Sequence, residues 1–446
     1  MRALNGQLLP RMGAREKGAV PAVSVAAPEG ATGGVVVVNT GGLPEITMMA
    51  GSLARALLLR EYITPIAVAS GSELPWPARL LPDRPGAWAR ERLQRRTLPA
   101  AIDEPRLRCA GGGYELLFQL VKETRWRGRL QGPALRLRDV MVDRAAAGRL
   151  QPGDRACVTH YSAGLRTIRR AGRLGIPAFL EYPIAHHRFA EAILDEEARL
   201  QPAFAATLQF HVFPEQVRRR MEREIVESDY IFVLSEFQRA TFVRCGVDEH
   251  KLITTPLGVD LDLFRPSPRT DDGIFRVMFT GQITQRKGIS YLFEAFSALR
   301  AKDSELVLAG AVVGTDRPWR SRSRVRHVPA MSRWKLPAFL AEGDVYVLPS
   351  LVEGFPQTAL EAMACAKPVI VSTNTFAGDV IEDGVDGFIV PIRDPDAIAD
   401  RLRFLRDNPA RRERMGAAAR RKALQFSWDA YGQRAVEAIR LRQRAG

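Results

Sequence analysis

Two glutamates that stand eight residues apart are the strongest candidates for chemistry in this 446-residue chain. Glu353 follows the apolar run at 345–348, and Glu361 lies in an alanine-rich segment that begins after Pro356. Proline suits the first position of a helix, because the N–H that it lacks would have no partner within the helix there. The sequence therefore predicts a strand, a loop that carries Glu353 and a helix that carries Glu361. N–H groups at a helix start favour anions and polar acceptors, so two carboxylates beside them suit a ligand with both hydroxyl and phosphate groups.

Arg286 and Lys287 are adjacent cations in a second predicted loop. A strand is predicted to end at Gly281 and a helix to begin at Gly288, so the two cations lie at a strand-to-helix turn. Arginine binds phosphate oxygens through paired N–H groups, and lysine binds them as a point charge. We predict a phosphate clamp here. A pair of solvated surface charges is the alternative, and the short motif taken alone favours it.

Strand and helix patterns alternate along nearly the whole chain. Continuously apolar strands separated by helices are typical of parallel sheets that are covered on both faces. The alternation stops at 259–274, which is rich in Pro and Asp, and restarts at Phe275. Because the chain is too long for one ordinary core, we predict two doubly wound α/β domains whose strand ends line a cleft. Helices are expected near 44–59, 163–174 and 335–340, and long charged helices with a solvated face within 191–227.

Composition excludes several classes of protein. No run of 18 apolar residues exists, and the first 33 residues lack the apolar core of a signal peptide, so we expect a disordered lead-in there. The four cysteines stand apart without a CxxC pair, which predicts buried thiols in a reducing cytoplasm. The sequence contains neither a nucleophile elbow with a Ser/His/Asp set nor a P-loop motif, which argues against hydrolase and P-loop functions.

The net charge of +15 is concentrated in one segment. Residues 81–150 contain 15 Arg and Lys against 8 Asp and Glu, and tryptophan and leucine stand between the arginines. This pattern suits an anionic membrane surface or a polyanion. An arginine-rich composition on ordinary solvated faces explains the same charge, so both interpretations stay open.

Four segments resemble one family of enzymes. The segments "TGQITQRKGISYLFEAF", "VYVLPSLVEGFPQTALEAMACAKPVIVS" and "VIEDGVDGFIVP" look like the C-terminal half of group 1 (family 4) retaining glycosyltransferases, and residues 227–266 look like the run that precedes it. The resemblance covers about 224–428 and implies the GT-B fold, in which two Rossmann-like domains face each other across a cleft. It implies an acceptor-side domain at 34–258, a linker at 259–274, a nucleotide-sugar-binding domain at 275–425 and a terminal helix at 426–446 that packs back on the first domain.

The resemblance also implies roles for the residues around the first glutamate. Lys287, with Arg286 beside it, would hold the diphosphate of the donor. Glu353, together with the backbone amides of Gly354 and Phe355, would meet the sugar hydroxyls and support the reacting carbon.

Glu361 would accept both ribose hydroxyls of the nucleotide, and Thr358 belongs to the same expected substrate-binding set. Two departures from the family pattern stand nearby. Gln282 occupies a position where many relatives have an arginine, so Arg286 is expected to supply that charge. Pro356 occupies a position where many relatives have a glycine, which removes one backbone donor and is expected to shift the sugar preference.

In the first half of the chain, Gly41 and Gly42 resemble the glycine loop that lies under the diphosphate in this family. The family also has a histidine at the end of a central strand, and in register that position falls three residues before His186. We predict that His186 supplies the missing contact to the donor sugar. The alternatives are His187 and His160, and each of the three is more often a structural residue than a ligand.

The function implied by the resemblance is a retaining, metal-independent glycosyltransferase of hexosyltransferase type. It would move a sugar from a nucleoside diphosphate donor to a hydroxyl of a glycan or lipid-linked glycan in cell-envelope or exopolysaccharide synthesis. We expect a cytoplasmic protein, peripheral on the inner face of the membrane, with no cofactor besides the donor and no nucleic-acid partner.

No essential metal is expected. The Asp-x-Asp patterns at 260–262 and 394–396 resemble a metal motif, but they lie in the linker and at a helix start, away from the end of a sheet. Two alternative functions stay open: a sugar-nucleotide epimerase or glycan phosphorylase on the same fold, and a basic protein that binds nucleic acid or another polyanion.

Overall fold

A computed structural model describes residues 33–67, 98–122, 127–208, 213–269, 272–317, 319–320 and 322–443. The lead-in predicted for residues 1–33 therefore lies almost wholly outside the described residues. So do two parts of the basic segment, 81–97 and 123–126.

Seven described strands form the parallel sheet of the first domain. They are β1 Val35–Val38, β2 Leu59–Thr64, β3 Leu107–Cys109, β4 Ala156–His160, β5 Ala178–Glu181, β6 Tyr230–Val233 and β7 Leu252–Thr254. Their order in the sheet is β3-β2-β1-β4-β5-β6-β7. The four valines of β1 are at most 1% exposed, as expected for a strand that is covered on both faces.

The helices of the first domain lie between these strands. They are α1 Pro44–Arg55, α2 Gly112–Lys122, α3 Arg127–Arg149, α4 Leu165–Leu174, α5 His187–Leu200, α6 Glu215–Glu227 and α7 Glu236–Arg244. The loops that follow β1, β4 and β5 reach the carboxyl edge of the sheet, where ligands bind in doubly wound folds.

Six described strands form the parallel sheet of the second domain. They are β8 Phe275–Thr280, β9 Ser304–Ala309, β10 Val325–Val328, β11 Val345–Leu348, β12 Val369–Ser372 and β13 Gly387–Val390, in the order β10-β9-β8-β11-β12-β13. The helices around this sheet are α8 Ile289–Ala298, α9 Leu336–Ala341, α10 Gln357–Ala364, α11 Ala377–Val380, α12 Pro395–Asp407 and α13 Pro409–Ala423. The doubly wound α/β architecture predicted from the sequence is therefore confirmed.

The chain passes between the two sheets twice. At the first crossing Val259 forms an isolated parallel bridge with Ser427, which marks the second crossing. The last described helix, α14 Trp428–Gln443, then lies against the first domain, where Asp429 forms an ion pair with Arg55 at 2.9 Å.

Helix ends differ from the sequence prediction where local backbone geometry decides them. α1 was expected to reach residue 59, but it ends at Arg55 because Leu57 adopts a left-handed conformation (φ 58°) and Leu59 begins β2. α4 begins at Leu165 and not at 163. The helix expected at 335–340 begins as a 3-10 turn at 333–335 and continues as α9. Pro356 caps α10 from outside and does not occupy its first position.

The prediction of a solvated face on the charged helices within 191–227 is wrong for two residues. Glu197 on α5 and Glu224 on α6 are both 0% exposed. Glu224 accepts a hydrogen bond from the Gly164 N–H at 2.9 Å, at the start of α4. Burial raises the pKa of Glu224 to about 7, and the nearby guanidinium of Arg220 opposes that rise. These carboxylates bind donors that lie far away in the sequence, which a charge pattern does not reveal.

Within the described part of the chain, no helix combines the length and the apolar composition that a membrane span requires.

Candidate active site

The structure brings Glu353 together with both predicted cations. The Glu353 Oε1 atom lies 2.7 Å from Arg286 Nη1 and 2.6 Å from Lys287 Nζ, and all three side chains are nearly buried. Burial acts to raise the pKa of Glu353, but the charges of Arg286 and Lys287 outweigh it and hold that pKa below its usual value. Burial lowers the pKa of Lys287, and Glu353 opposes that shift. Two cations beside one carboxylate leave an excess positive charge at the carboxyl edge of the second sheet.

A tight turn holds the two cations in place. Residues 285–287 form a 3-10 turn that ends at Gly288, where φ is 72°. Any side chain at Gly288 would overlap the carbonyl oxygen of Pro349, so glycine is required both by the left-handed backbone and by the close approach of β11's end. The sequence "RKG" therefore encodes the turn as well as the charge.

Glu361 lies inside α10 and is 5% exposed. Its Oε1 atom is 3.3 Å from Arg333 Nη2. Burial raises the pKa of Glu361 to about 7; Arg333 opposes the rise and Asp260 adds to it. Asp260, in the predicted linker, is thus close enough to act on the charge of Glu361.

The residues after Glu353 divide between backbone and packing roles. Among the described residues, the N–H groups of Gly354 and Phe355 have no hydrogen-bond acceptor, and Gly354 lies close to the carbonyl oxygen of Pro183. The Phe355 side chain instead packs on Phe376, with ring centroids 4.8 Å apart. Thr358 accepts a hydrogen bond from the Tyr346 hydroxyl at 2.8 Å. The Ala359 N–H, in the first turn of α10, is bound to the Pro356 carbonyl at 3.0 Å.

The glycine loop of the first domain lies between β1 and α1, as the sequence predicts. Gly42 has a φ of 68°, a left-handed conformation that glycine adopts without strain. Asn39 holds the loop, because its side chain accepts from the Leu43 N–H at 2.9 Å and donates to the Leu43 carbonyl at 2.8 Å. Gly41 has the guanidinium of Arg138 as a neighbour, about 4.0 Å from the place of a Cβ.

The histidines occupy three different environments. His160 Nε2 lies 2.6 Å from Thr40 Oγ1 beside the glycine loop, and burial lowers its pKa to about 4. His186 caps α5 by accepting from the Arg188 N–H at 3.2 Å, and burial lowers its pKa to about 3. His187 lines the cavity described below, whereas His186 does not. The predicted contact from His186 to a donor sugar stays a prediction, and its capping role is the structural alternative.

One group of side chains could hold a metal ion. His186, His187 and Glu222 offer ligand atoms within 4.8 Å of one another. The His187 Nε2 atom already contacts Glu222 Oε1 at 2.7 Å. His187 and Glu222 thus satisfy each other, whereas His186 stacks on the His187 ring, and the group carries no argument for catalysis.

A cavity of about 170 Å³ lies between the two domains. Glu353 and Arg286 line its second-domain side. The first domain supplies a largely aromatic and aliphatic wall, made of Tyr161, Tyr182, Pro183, Ile184, Ala185, His187, Ala190, Phe213 and Met221. The volume and the wall suit a small ring that rests its C–H face on the aromatic side chains beside the carboxylate.

Tyr161 is a cavity residue that the sequence analysis missed. Burial and the neighbouring Glu181 carboxyl raise its pKa to about 12, so its hydroxyl stays protonated and can donate a hydrogen bond. Tyr161 directly follows β4, so the rule that ligands bind at strand ends could have identified it.

Glu181 and Glu45 lie behind this wall as buried carboxyl groups. Burial raises the pKa of both, and Glu45 adds to the rise at Glu181. Neither oxygen of Glu181 has a hydrogen-bond partner among the described residues. A protonated Glu181 is the form that such a site favours.

Glu197 joins the first domain to the turn that carries the cations. It is 0% exposed, and its oxygens accept from Gln285 Nε2 at 2.6 Å, Tyr291 Oη at 3.2 Å and Arg393 Nε at 2.8 Å. All three donors belong to the second domain. Gln285 directly precedes Arg286. The Glu197 carboxylate therefore fixes the turn at residues 285–287, which we call the clamp turn, relative to the first domain.

Comparison with known proteins identifies the class of the second domain. Residues 262–422 match the family described as "Glycosyl transferases group 1". The resemblance of this part of the chain to group 1 glycosyltransferases, predicted from the sequence motifs, is confirmed.

Individual relatives agree with that class. The chain is 31% identical over 255 residues to a D-inositol 3-phosphate glycosyltransferase of Kineococcus radiotolerans, an alignment that covers 49% of this chain and 59% of the relative. It is 31% identical over 235 residues to the protein of the same name from Geodermatophilus obscurus, covering 47% of this chain and 51% of the relative. The chain thus spans between half and three fifths of the length of these relatives.

Solved structures with the same fold confirm the GT-B architecture. HepE of Anabaena, in complex with UDP-glucose, has a TM-score of 0.58 at 14% identity and covers 91% of this chain and 99% of its own. A sucrose-phosphate synthase of Thermosynechococcus elongatus has a TM-score of 0.57 at 18% identity and covers 93% of this chain and 100% of its own.

Proposed function

We propose that this protein is a retaining glycosyltransferase that moves a sugar from a nucleoside diphosphate donor to a hydroxyl group. The observation that carries the proposal is the buried Glu353 between Arg286 and Lys287, at the strand ends of a group 1 glycosyltransferase domain and on the wall of a cavity between the domains. Complexes of the structural neighbour HepE with UDP-glucose support a nucleotide-sugar donor.

The cations stabilise the leaving group. When the bond between the anomeric carbon and the diphosphate oxygen breaks, negative charge develops on the diphosphate. Arg286 and Lys287 are already held in a buried site, where fixed charges act strongly and need no reorganisation. They supply the positive charge that other transferases obtain from a divalent ion, and we therefore propose a reaction that needs no metal.

The carboxylate and the free amides hold the sugar. We propose that Glu353 and the Gly354 and Phe355 N–H groups contact the sugar near its reacting carbon. The acceptor hydroxyl attacks the anomeric carbon from the face that the diphosphate leaves, a new C–O bond forms, and the hydroxyl proton passes to the departing phosphate oxygen. Configuration at the anomeric carbon is then retained.

The residues that line the cavity limit which acceptor molecules could bind there. Among its described lining residues Arg286 carries the only arginine or lysine charge, and that charge is paired with Glu353. We therefore propose an uncharged sugar hydroxyl, in an envelope or extracellular glycan, in preference to the D-inositol 3-phosphate that the names of the relatives mention. We place this activity on the cytoplasmic side, at the inner face of the membrane, with no nucleic acid as partner.

A panel of sugar nucleotides tests this function. The purified protein is incubated with UDP-, GDP-, ADP- and dTDP-sugars, and release of the nucleoside diphosphate is measured with and without EDTA. We expect cleavage of one donor class, unchanged by EDTA, and a loss of about 100-fold in Lys287→Ala or Arg286→Ala. The matched control is Lys302→Ala, which removes an exposed cation outside the site.

Other outcomes of these assays would contradict parts of the proposed function. Full activity in both clamp variants would mean that the diphosphate lies in another place. Activity that is lost in EDTA and restored by Mn²⁺ would overturn the metal-free reaction. A product with inverted anomeric configuration by NMR would overturn retention, and isomerisation of the sugar nucleotide without transfer would indicate an epimerase.

A further inference from the structure

Helices α2 and α3 carry an exposed apolar surface, which we call the leucine surface. It consists of Leu116 (54% exposed), Leu117 (43%) and Leu120 (61%) on α2 and of Leu130 (46%) and Leu137 (41%) on α3. The α2 residues are one and four positions apart and the α3 residues are seven apart, so each set lies on one side of its helix. The two helices pack against each other. Large side chains exposed in such a group on a folded protein mark an interaction site.

The described exposed charges that α2 and α3 themselves carry are all positive. The acidic side chains of the two helices are buried: Glu115 and Asp139 form ion pairs with Arg138, and Asp143 accepts from the Thr167 N–H at 2.9 Å.

The described exposed charges of α2 and α3 are cationic: Lys122, Arg136, Arg144 and Arg149, of which Arg149 is already paired with Glu61 at 2.5 Å. Exposed leucines bordered by cations, on helices whose own described acids are buried, are the composition of helices that lie in the interface of an anionic membrane.

The inner side of the same helix pair reaches the cleft. Arg138 of α3, held by Glu115 and Asp139, lies beside Gly41 in the glycine loop. A surface bound to the outer side of α2 and α3 is therefore separated from the cleft by only the thickness of these helices. This arrangement would present the cleft to an acceptor that is anchored in the same surface.

We propose that the leucine surface docks on the anionic face of a lipid bilayer. The leucines enter the boundary between head groups and acyl chains, and the cations meet the lipid phosphates. Charge complementarity favours this occupant over a second copy of the chain, because two such surfaces would bring like charges together. The proposal deepens the membrane location given above and rests on it only for its biological purpose, since lipid binding needs no catalysis.

Vesicle co-sedimentation tests the docking. The full-length protein is mixed with vesicles of phosphatidylcholine alone or with phosphatidylglycerol added, across a series of KCl concentrations. We expect binding to the anionic vesicles that falls as salt rises. The double variant Leu116→Gln/Leu120→Gln should bind about tenfold more weakly.

Two further variants separate the contributions. Leu424→Gln/Leu441→Gln removes two leucines of similar exposure (50% and 58%) elsewhere on the protein and should bind like the parent. Lys122→Glu/Arg136→Glu should lose most of the preference for anionic over neutral vesicles. Circular dichroism melting of each variant shows whether the fold is kept.

Three results would overturn the proposal: no binding to anionic vesicles at low salt, an equal loss in the control double variant, or a leucine variant that changes the oligomeric state in solution but not vesicle binding. Donor cleavage is measured in the same samples. Failure of cleavage with intact vesicle binding would refute the proposed enzyme function alone, and the reverse would refute the docking surface alone.

Discussion

At the scale of single residues, the site depends on carboxylates whose neighbours decide their charge. Glu353 and Glu361 lie in the same loop–helix segment, yet their pKa values move in opposite directions. Two adjacent cations keep the pKa of Glu353 low, whereas burial dominates at Glu361 and raises its pKa to about 7. Glu353 is therefore ionised throughout the neutral range, and Glu361 titrates within it.

Glu361 should make nucleotide binding depend on pH. We propose that the ionised carboxylate accepts two ribose hydroxyls, in which case binding needs the deprotonated form. With a pKa of about 7, the ionised fraction rises from about one tenth at pH 6 to about nine tenths at pH 8. We expect the affinity for UDP, or for the diphosphate of the donor found in the panel, to rise by up to about tenfold over that range in titration calorimetry.

Glu361→Gln is the matched control for that measurement, because it keeps the shape and removes the titrating group. The affinity of this variant for the nucleotide should change with pH only through the ionisation of the nucleotide itself. A parent protein whose pH profile is identical to that of the glutamine variant would show that Glu361 does not contact the nucleotide in ionised form.

At the scale of elements, strand and helix order was predictable and the contacts between distant elements were not. Buried parallel strands are apolar throughout, which makes β1, β8 and β11 visible in the sequence. The strand–loop–helix around Glu353 was predictable for the same reason, and so was the clamp turn, since glycine marks its end.

The remaining errors have two physical causes, contacts between distant residues and a local change of backbone conformation. Glu197 acts through partners that lie far away in the chain, on the other domain. A charged helix such as α5 looks solvated in sequence, because the pattern does not show that Gln285, Tyr291 and Arg393 supply donors to Glu197. The end of α1 was missed because one left-handed residue, Leu57, ends the helix without a glycine.

Glu197→Ala should loosen the clamp turn. Removing one partner from a buried charged network costs about 3–5 kcal/mol, so we expect a clear fall in the free energy of unfolding. Donor cleavage should also fall, measured well below the melting temperature, because Gln285 and the following cations lose their anchor. Small-angle scattering should show a larger radius of gyration as the domains separate.

The neighbouring residue provides the control. Glu196 also pairs with Arg393, at 2.6 Å, but its side chain is 51% exposed, and exposed pairs contribute about 1 kcal/mol or less. Glu196→Ala should therefore leave stability, cleavage and size nearly unchanged. If the two variants have the same stability, cleavage rate and radius of gyration, Glu197 does not hold the two domains together.

At the scale of the whole molecule, the two domains supply different groups to the candidate site. The second domain holds the buried cations and the paired glutamates, which suit a nucleotide sugar. The first domain contributes the aromatic cavity wall, the glycine loop and the leucine surface. The cavity between them is the place where both contributions meet, with Glu353 on its wall.

The most direct test of the central claim is single-turnover cleavage by Glu353→Gln of the sugar nucleotide that the parent protein uses. The glutamine keeps the shape of the side chain but removes the charge that lies between Arg286 and Lys287. We predict a rate at least about 100-fold lower than that of the parent, with the nucleoside diphosphate still bound in calorimetry. A variant that cleaves the donor at the parental rate would contradict the claim that this carboxylate and its two cations form the reaction centre.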